Sequence, residues 1–154
     1  MITEMSLFDC EKDALFAEVM KSASFFYVSR PMVMFKADTA NPIPEIWAEG
    51  QYLVSMKLFG FVPLGKQWIN ISIDKENCHL RDDGHSALIE KWLHNIYISA
   101  AERGKTLYVD VVEIDAGPFT PLVFLYAKAF FRHRQRRWHK LIDNGFGHRE
   151  TSDF

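Results

Sequence analysis

Two polar side chains interrupt otherwise apolar strand patterns. In the stretch Trp92 to Ile98, His94 shares an alternating face with Trp92, Ile96 and Ile98. In Thr106 to Ile114, Asp110 shares a face with Thr106, Tyr108, Val112 and Ile114. A buried imidazole or carboxylate is costly unless it is paired or hydrogen-bonded. If the two stretches form a hairpin around Glu102-Arg103-Gly104, an odd-length loop puts both sets on one side of the sheet. An even-length loop puts them on opposite sides. On one side, Asp110 can fix the imidazole tautomer, and His94 can act as a general base or orient a polar group of a ligand. The same two residues can equally satisfy each other, Trp92 or Tyr108 as a polar cluster in the core, with no chemistry attached.

Other chemistry-bearing residues are less constrained. Trp47, Tyr52, Trp68, Trp92, Tyr108 and Phe124 each suit either core packing or the wall of an apolar cavity, and all but Phe124 carry a polar tip. Aromatics make up 14% of the chain, enough to supply both. His79 and His85 flank Asp82 and Asp83, a weak candidate for catching a metal. The histidine spacings otherwise exclude a metal site: His133 and His139 are six apart on a helical pattern and point in different directions. No Gly-rich phosphate loop, GxSxG elbow or HExxH occurs, and no cofactor is implied. Cys10 and Cys78 form no disulfide framework, and neither has a local feature of a nucleophile.

Charge and hydropathy narrow the partners. A net charge of -2 gives no bulk attraction to nucleic acid or anionic lipid. The basic run Arg132 to Lys140 falls in the last turns of a helical pattern, where it meets the helix dipole favourably. Its expected partners are acids such as Asp143 or Glu113. The longest apolar run, Pro121 to Ala127, is far short of the ~20 residues a membrane span needs. Met1 to Asp9 carries acids and shows no signal pattern. The expectation is a reduced, cytoplasmic compartment, with no nucleic-acid partner and no membrane insertion.

The elements that must position these residues follow from periodicity. Asp9 to Ser22 predicts an amphipathic helix capped by Asp9, with Leu15, Phe16, Val19 and Met20 inward and Glu11, Lys12, Glu18 and Lys21 outward. Phe25 to Lys36 is aromatic and β-branched and predicts an edge strand bent at Pro31. Asn41, Pro42 and Pro44 mark a loop. Trp47 to Phe59 and Lys66 to Asp74 predict two strands joined across Gly60 to Gly65, and a short strand follows near Cys78 to Arg81. Asp82-Asp83-Gly84 signals a turn. Ala87 to Ala100 and Lys105 to Ile114 are the most patterned strands. Thr120 to Asp143 predicts the longest helix, capped by Thr120, opened by Pro121 and stopped by Asn144-Gly145. Leu122 to Phe131 is apolar nearly all round and should be gripped by the sheet, while Arg132 to Lys140 should run past it into water. Phe146 to Phe154 is polar and expected to fray. With no repeat or domain boundary, residues 1–154 read as a single domain. Strands joined by short turns, with helices at the chain ends, make an α+β fold with an antiparallel sheet that curls.

This order resembles the START-like (SRPBCC, helix-grip) superfamily, and in particular uncharacterised bacterial members. The likeness rests on GQYLVSMKLFGFVPLGKQWINI at Gly50 to Ile71, WLHNIYI at Trp92 to Ile98, TLYVDVVEIDAG at Thr106 to Gly117 and FFRHRQRRWHKL at Phe130 to Leu141. It spans Val28 to Asp143. The resemblance implies a curved antiparallel sheet gripping the C-terminal helix around a hydrophobic cavity. It also implies ligands among lipids, sterols, polyketides or other apolar molecules, with cyclase or dehydratase activity in a few members. The family's usual N-terminal strand is not evident in Met1 to Phe8.

Three functions are therefore expected in competition. The first is binding of a small hydrophobic or aromatic ligand between sheet and helix, lined by the aromatics named above. The second is a cyclase or dehydratase using His94 and Asp110 for proton transfer. The third is a homodimerising module that uses the surplus apolar surface of Leu122 to Phe131.

Overall fold

The computed structural model describes residues 1–147. In chain order the elements are β1 (Ile2–Phe8), α1 (Lys12–Val19), α2 (Ser22–Ser29), β2 (Val33–Ala37), β3 (Gly50–Leu58), β4 (Val62–Asp74), β5 (His79–Ser86), β6 (Lys91–Ala100), β7 (Thr106–Asp115) and α3 (Thr120–Asp143). The seven strands form one antiparallel sheet in the order β1-β7-β6-β5-β4-β3-β2. α3 lies against its concave side. This is the α+β helix-grip arrangement that the sequence resemblance implied.

The N-terminal strand is present, contrary to the sequence expectation. β1 pairs with β7 along its whole length, from Ile2 opposite Val112 to Phe8 opposite Thr106. Its pattern is inverted in the middle: Met5 and Leu7 face out and are exposed, while Glu4 and Ser6 sit on the face of Ile2 and Phe8. Glu4 is tolerated there because it accepts a hydrogen bond from Arg132 Nε at 3.1 Å. Phe8 is fully buried against Tyr108 and the His139 ring.

The single predicted N-terminal helix is two. α1 ends at Val19, and its N-cap is Glu11 rather than Asp9. The chain turns at Lys21, bridges to Ile46, and enters α2. Glu18, expected in water, is buried by that turn and accepts from Ser24 Oγ and Lys21 Nζ, both at 2.7 Å. α2 takes the start of the stretch predicted as a strand. Packing between sheet and α3 overrides the β propensity of Phe25 to Val28, and the strand begins only at Val33, after the cis Arg30–Pro31 bond.

Asp82-Asp83-Gly84 forms no turn; it lies inside β5. Pairing with β4 is interrupted between Trp68–His85 and Ile71–Asp82. There the Asp82 carboxylate accepts the Asn70 N–H at 2.9 Å, in place of a backbone partner. Gly84 makes room for the detour: a Cβ on it would stand 2.5 Å from the Trp68 carbonyl oxygen.

α3 also departs from expectation. Thr120 does not cap it; its hydroxyl instead bonds the Ala116–Gly117 turn. The C-terminus closes as predicted. Gly145 adopts φ 63°, and the Phe146 N–H reaches back to the Leu141 carbonyl at 2.8 Å, a Schellman closure. Phe146 packs against the core rather than fraying, and residues 148–154 of the expected frayed segment lie outside the described residues. Burial follows one face through both halves of the helix instead of separating them. Leu122 and Leu125, expected to be gripped, are 69% and 68% exposed, whereas Arg134, Gln135, Trp138 and Leu141 are buried. The buried row Ala127, Phe130, Phe131, Arg134, Trp138 and Leu141 steps by three or four, so it forms one face along the helix. The basic side chains act as tethers: Arg132 to Glu4, His133 to the Arg30 carbonyl, Arg137 to the Tyr27 carbonyl and over the Tyr27 ring. Glu113, expected to serve this run, pairs with Lys91 instead.

Gly84→Ala should destabilise the fold by roughly 1–3 kcal/mol, because the new methyl meets backbone rather than a movable side chain. Urea unfolding followed by tryptophan fluorescence measures this, and an unchanged midpoint would show that the β4–β5 detour does not need glycine.

Candidate functional site

The β6–β7 register determines what His94 and Asp110 can do. The loop between them holds five residues, Ala101 to Lys105, so the odd-length case applies. Ile96 stands opposite Asp110 and His94 opposite Val112. His94 and Asp110 are therefore diagonal neighbours on one face, close enough for direct contact. His94 Nε2 lies 2.7 Å from Asp110 Oδ1. The Tyr108 hydroxyl donates to the same oxygen at 3.1 Å, and Gln135 Nε2 from α3 donates to Oδ2 at 2.8 Å. Asp110 is fully buried, so these three donors replace its hydration.

Electrostatics follow from that burial. Burial lowers the His94 pKa, opposed by the hydrogen bond and charge of Asp110. The ring is thus held neutral with its proton on Nε2 toward Asp110, leaving Nδ1 as an acceptor. The edge of Phe131 meets the imidazole at 4.8 Å between centroids. Burial pushes the Tyr108 hydroxyl well above its ordinary range, with the Asp110 charge adding to the effect.

A cavity of about 380 Å³ opens beside this cluster, between α3 and the β2–β6 side of the sheet. That lies in the range of small-molecule sites. Val33 and Phe35 of β2, Met56 and Leu58 of β3, Ile69 of β4 and Trp92 of β6 form the sheet wall. Tyr126, Ala127, Phe130 and Phe131 form the helix wall. Leu88 and Leu122, both exposed, mark its mouth. Among the described residues, its only ionisable groups other than Tyr126 are Asp82, His94 and Arg134. These three also line an adjoining space of about 30 Å³ against Trp47 and Trp138.

Asp82 is the most perturbed carboxyl here. Burial pushes its pKa up to about 7, the Asn70 N–H opposes this, Asp83 adds to it and Arg134 weakly counters it. Asp82 lines both the main cavity and the small adjoining space.

The residues proposed from sequence are distributed unevenly. His94 and Trp92 line the main cavity, and Trp47 lines the small one. Asp110 and Tyr108 sit behind His94 in the core. Tyr52 packs on Trp47 and donates to the Ala48 carbonyl. Trp68 lies on the sheet face opposite Gln67 and Ile69, away from the cavity, because strand side chains alternate. Phe124 packs against the cluster around Val112 and Phe131 without lining the cavity. His79 bonds Asn95 and stacks on Tyr97, separate from His85. Sequence reasoning missed Arg134 and Gln135, and it named Asp82 only as part of a weak metal candidate with His79, His85 and Asp83. The i, i+4 step from Phe130 to Arg134 and on to Trp138 was the available signal for Arg134. Nothing in the turn-like Asp82-Asp83-Gly84 pointed to a cavity.

Comparison with known proteins places this geometry. Residues 7–142 match the model of a family described as Domain of unknown function (DUF8410). No curated protein matches the sequence. Solved structures share the fold at low identity. A START superfamily protein from Mycobacterium smegmatis superposes with TM-score 0.64 at 9% identity, covering 93% of this chain and 97% of that one. Norcoclaurine synthase from Thalictrum flavum, in complex with dopamine and hydroxybenzaldehyde, gives 0.67 at 12%, covering 93% and 86%. The protein TTHA0849 from Thermus thermophilus gives 0.65 at 8%, covering 95% and 99%.

Asp110→Ala strands three donors in the core and should destabilise by about 3 kcal/mol or more, measured by denaturant unfolding. An effect near zero would mean the cluster is hydrated. Asp82 gives a separate test through pH. Its folded pKa of about 7 exceeds its ordinary 3.8, so the folded state holds an extra proton between those values. Its contribution is therefore fully present below pH ~4 and is lost as pH rises through 7, by up to about 4 kcal/mol. Asp82→Asn keeps an acceptor for Asn70 and removes the titration. The variant should thus gain stability relative to wild type as pH rises from 4 to 7.5, and a constant difference would rule out a buried, proton-holding Asp82.

Proposed function

We propose that this chain, which belongs to the DUF8410 family, binds a small apolar molecule in the cavity between α3 and the sheet. The observation that carries the reading is the cavity itself: about 380 Å³, walled by aliphatic and aromatic side chains from β2, β3, β4, β6 and α3. Burying an apolar body there removes its surface from water at about 25 cal/mol per Å², and few polar groups compete. The START/Bet v1-like fold supports the same reading, since its members commonly bind hydrophobic ligands. The norcoclaurine synthase neighbour, solved with dopamine and hydroxybenzaldehyde, is one protein of this fold that accommodates small aromatics.

A second reading, proton-transfer catalysis of the cyclase or dehydratase kind, is favoured by one observation. His94 lines the cavity while its Nε2 is engaged by Asp110, so Nδ1 is available to take a proton from a bound molecule. Under that reading His94→Gln abolishes turnover while ligand binding persists.

The neutral fluorophore N-phenyl-1-naphthylamine tests the binding reading. It should bind with a blue-shifted emission, and Ala127→Phe, which fills the cavity from the helix wall, should weaken it by about tenfold or more. Binding that Ala127→Phe leaves unchanged would place the apolar site elsewhere.

A further inference from the structure

This inference rests on the apolar-ligand reading and concerns the ligand's polar end. Arg134 is 3% exposed, lies on the buried face of α3 and lines the cavity. Its guanidinium stands 5.8 and 5.4 Å from the Phe130 and Phe131 ring centroids. Those rings offset part of its desolvation but accept none of its N–H donors in the manner of an oxygen. Its Nε has no hydrogen-bond partner, and the oxygen within reach of the rest of the fork is the neutral Tyr108 hydroxyl, which carries no counter-charge. Among the described residues it makes no ion pair. Buried arginines are ordinarily matched by an oxyanion, often two oxygens on two parallel N–H donors.

The two neighbouring carboxyls do not fill that role. Asp110 spends its oxygens on His94, Tyr108 and Gln135. Asp82 directs Oδ1 to the Asn70 N–H, and burial holds it largely neutral below about pH 7. The guanidinium is therefore a cation aimed into an apolar cavity and lacking a direct counter-charge.

We propose that Arg134 anchors a carboxylate, and that the cavity takes an amphipathic monocarboxylic acid, its acid end at Arg134 and its apolar body extending toward Leu88 and Leu122. One guanidinium supplies one positive charge, which balances a monoanion. A phosphate dianion would keep an uncompensated charge in a cavity whose remaining walls are apolar, at high desolvation cost. The planar guanidinium fork also matches a carboxylate's two oxygens better than it matches a hydroxyl.

Three probes of equal chain length separate this inference from the reading beneath it. Decanoate, 1-decanol and decylamine are titrated at pH 6.5 against the full chain loaded with N-phenyl-1-naphthylamine. Decanoate should displace the fluorophore at roughly 10- to 100-fold lower concentration than 1-decanol, with decylamine, as its ammonium ion, the weakest. In Arg134→Gln the decanoate advantage should vanish while 1-decanol is little changed. Equal displacement by acid and alcohol in wild type overturns the carboxylate subsite and leaves the apolar cavity intact. Preference for decylamine also overturns it, because Asp82 would then set the polar end. If the fluorophore and all three probes fail to bind, the apolar-ligand reading falls and takes this inference with it. The wild-type series decides even if Arg134→Gln does not fold.

Discussion

A carboxylate in the core needs its whole hydration shell rebuilt from protein, and the architecture answers that demand at Asp110. The donors come from three elements: His94 on β6, Tyr108 beside Asp110 on β7, and Gln135 on α3. Each has one productive placement. The β6–β7 register must make His94 a diagonal neighbour, and α3 must lie at the azimuth and height that bring Gln135 over β7. A slip of one residue in the hairpin would carry His94 to the outer face and leave Asp110 without its shortest contact. The polar cluster is thus a registration device as well as a candidate site, since moving the helix breaks it at once.

That attachment also explains the cavity. Gln135 reaches Asp110 and the Glu4 carbonyl, Arg132 reaches Glu4, and Arg137, His133 and Tyr126 reach carbonyls of Tyr27, Arg30 and Met32. All these tethers hold α3 to β1, β7, α2 and the entry to β2. None reaches β3, β4 or β5. A sheet curved enough to wrap a helix then leaves space on the side where the helix is not tied down. The space is apolar because Met56, Leu58 and Ile69 alternate inward along those strands. An apolar volume of this size forgoes many dispersion contacts unless something fills it, which suits a ligand site better than a packing defect.

Much of this was legible before any coordinates. The antiparallel run and the C-terminal helix with its Asn144-Gly145 stop follow from alternation and turn chemistry, whereas the shared face of His94 and Asp110 needed the odd-length loop that only the structure supplies. The unread parts have physical causes. β1 hid because Met5 and Leu7 are exposed while Glu4 faces in, so its hydrophobic alternation is broken by a residue that only Arg132, far along the chain, makes tolerable. α2 hid because Phe25 to Val28 carry strand propensity that tertiary packing overrules. Asp82-Asp83-Gly84 resembled a turn, yet Gly84 serves close strand approach and Asp82 replaces a backbone acceptor. Of the proposed cavity aromatics, only Trp92 reaches the main cavity and Trp47 the small one. Sequence identifies a strand's two faces, but not which stretch of the inner face the helix leaves uncovered.

The composition of α3 is best understood from its deep end. Its apolar first half looked like the gripped part and its basic second half like the part in water, yet one buried face runs through both, from Ala127 to Leu141. A helix end rich in arginine can be buried when each cation finds an acceptor or a ring, and Arg132 and Arg137 do so through Glu4 and Tyr27. Arg134 sits on the inward face between them, with two rings and the neutral Tyr108 hydroxyl beside it and no carboxylate in direct contact. The first half can remain open because Leu122 lies at the cavity mouth and Leu125 stands exposed, and apolar side chains in water are tolerated singly. The helix therefore presents a gradient along the cavity, from the exposed Leu122 at the mouth to an uncompensated cation at the bottom. A wholly apolar molecule would satisfy the first part of that gradient and leave the second unmet. Under the proposed reading, that gradient fits a molecule with two unlike ends.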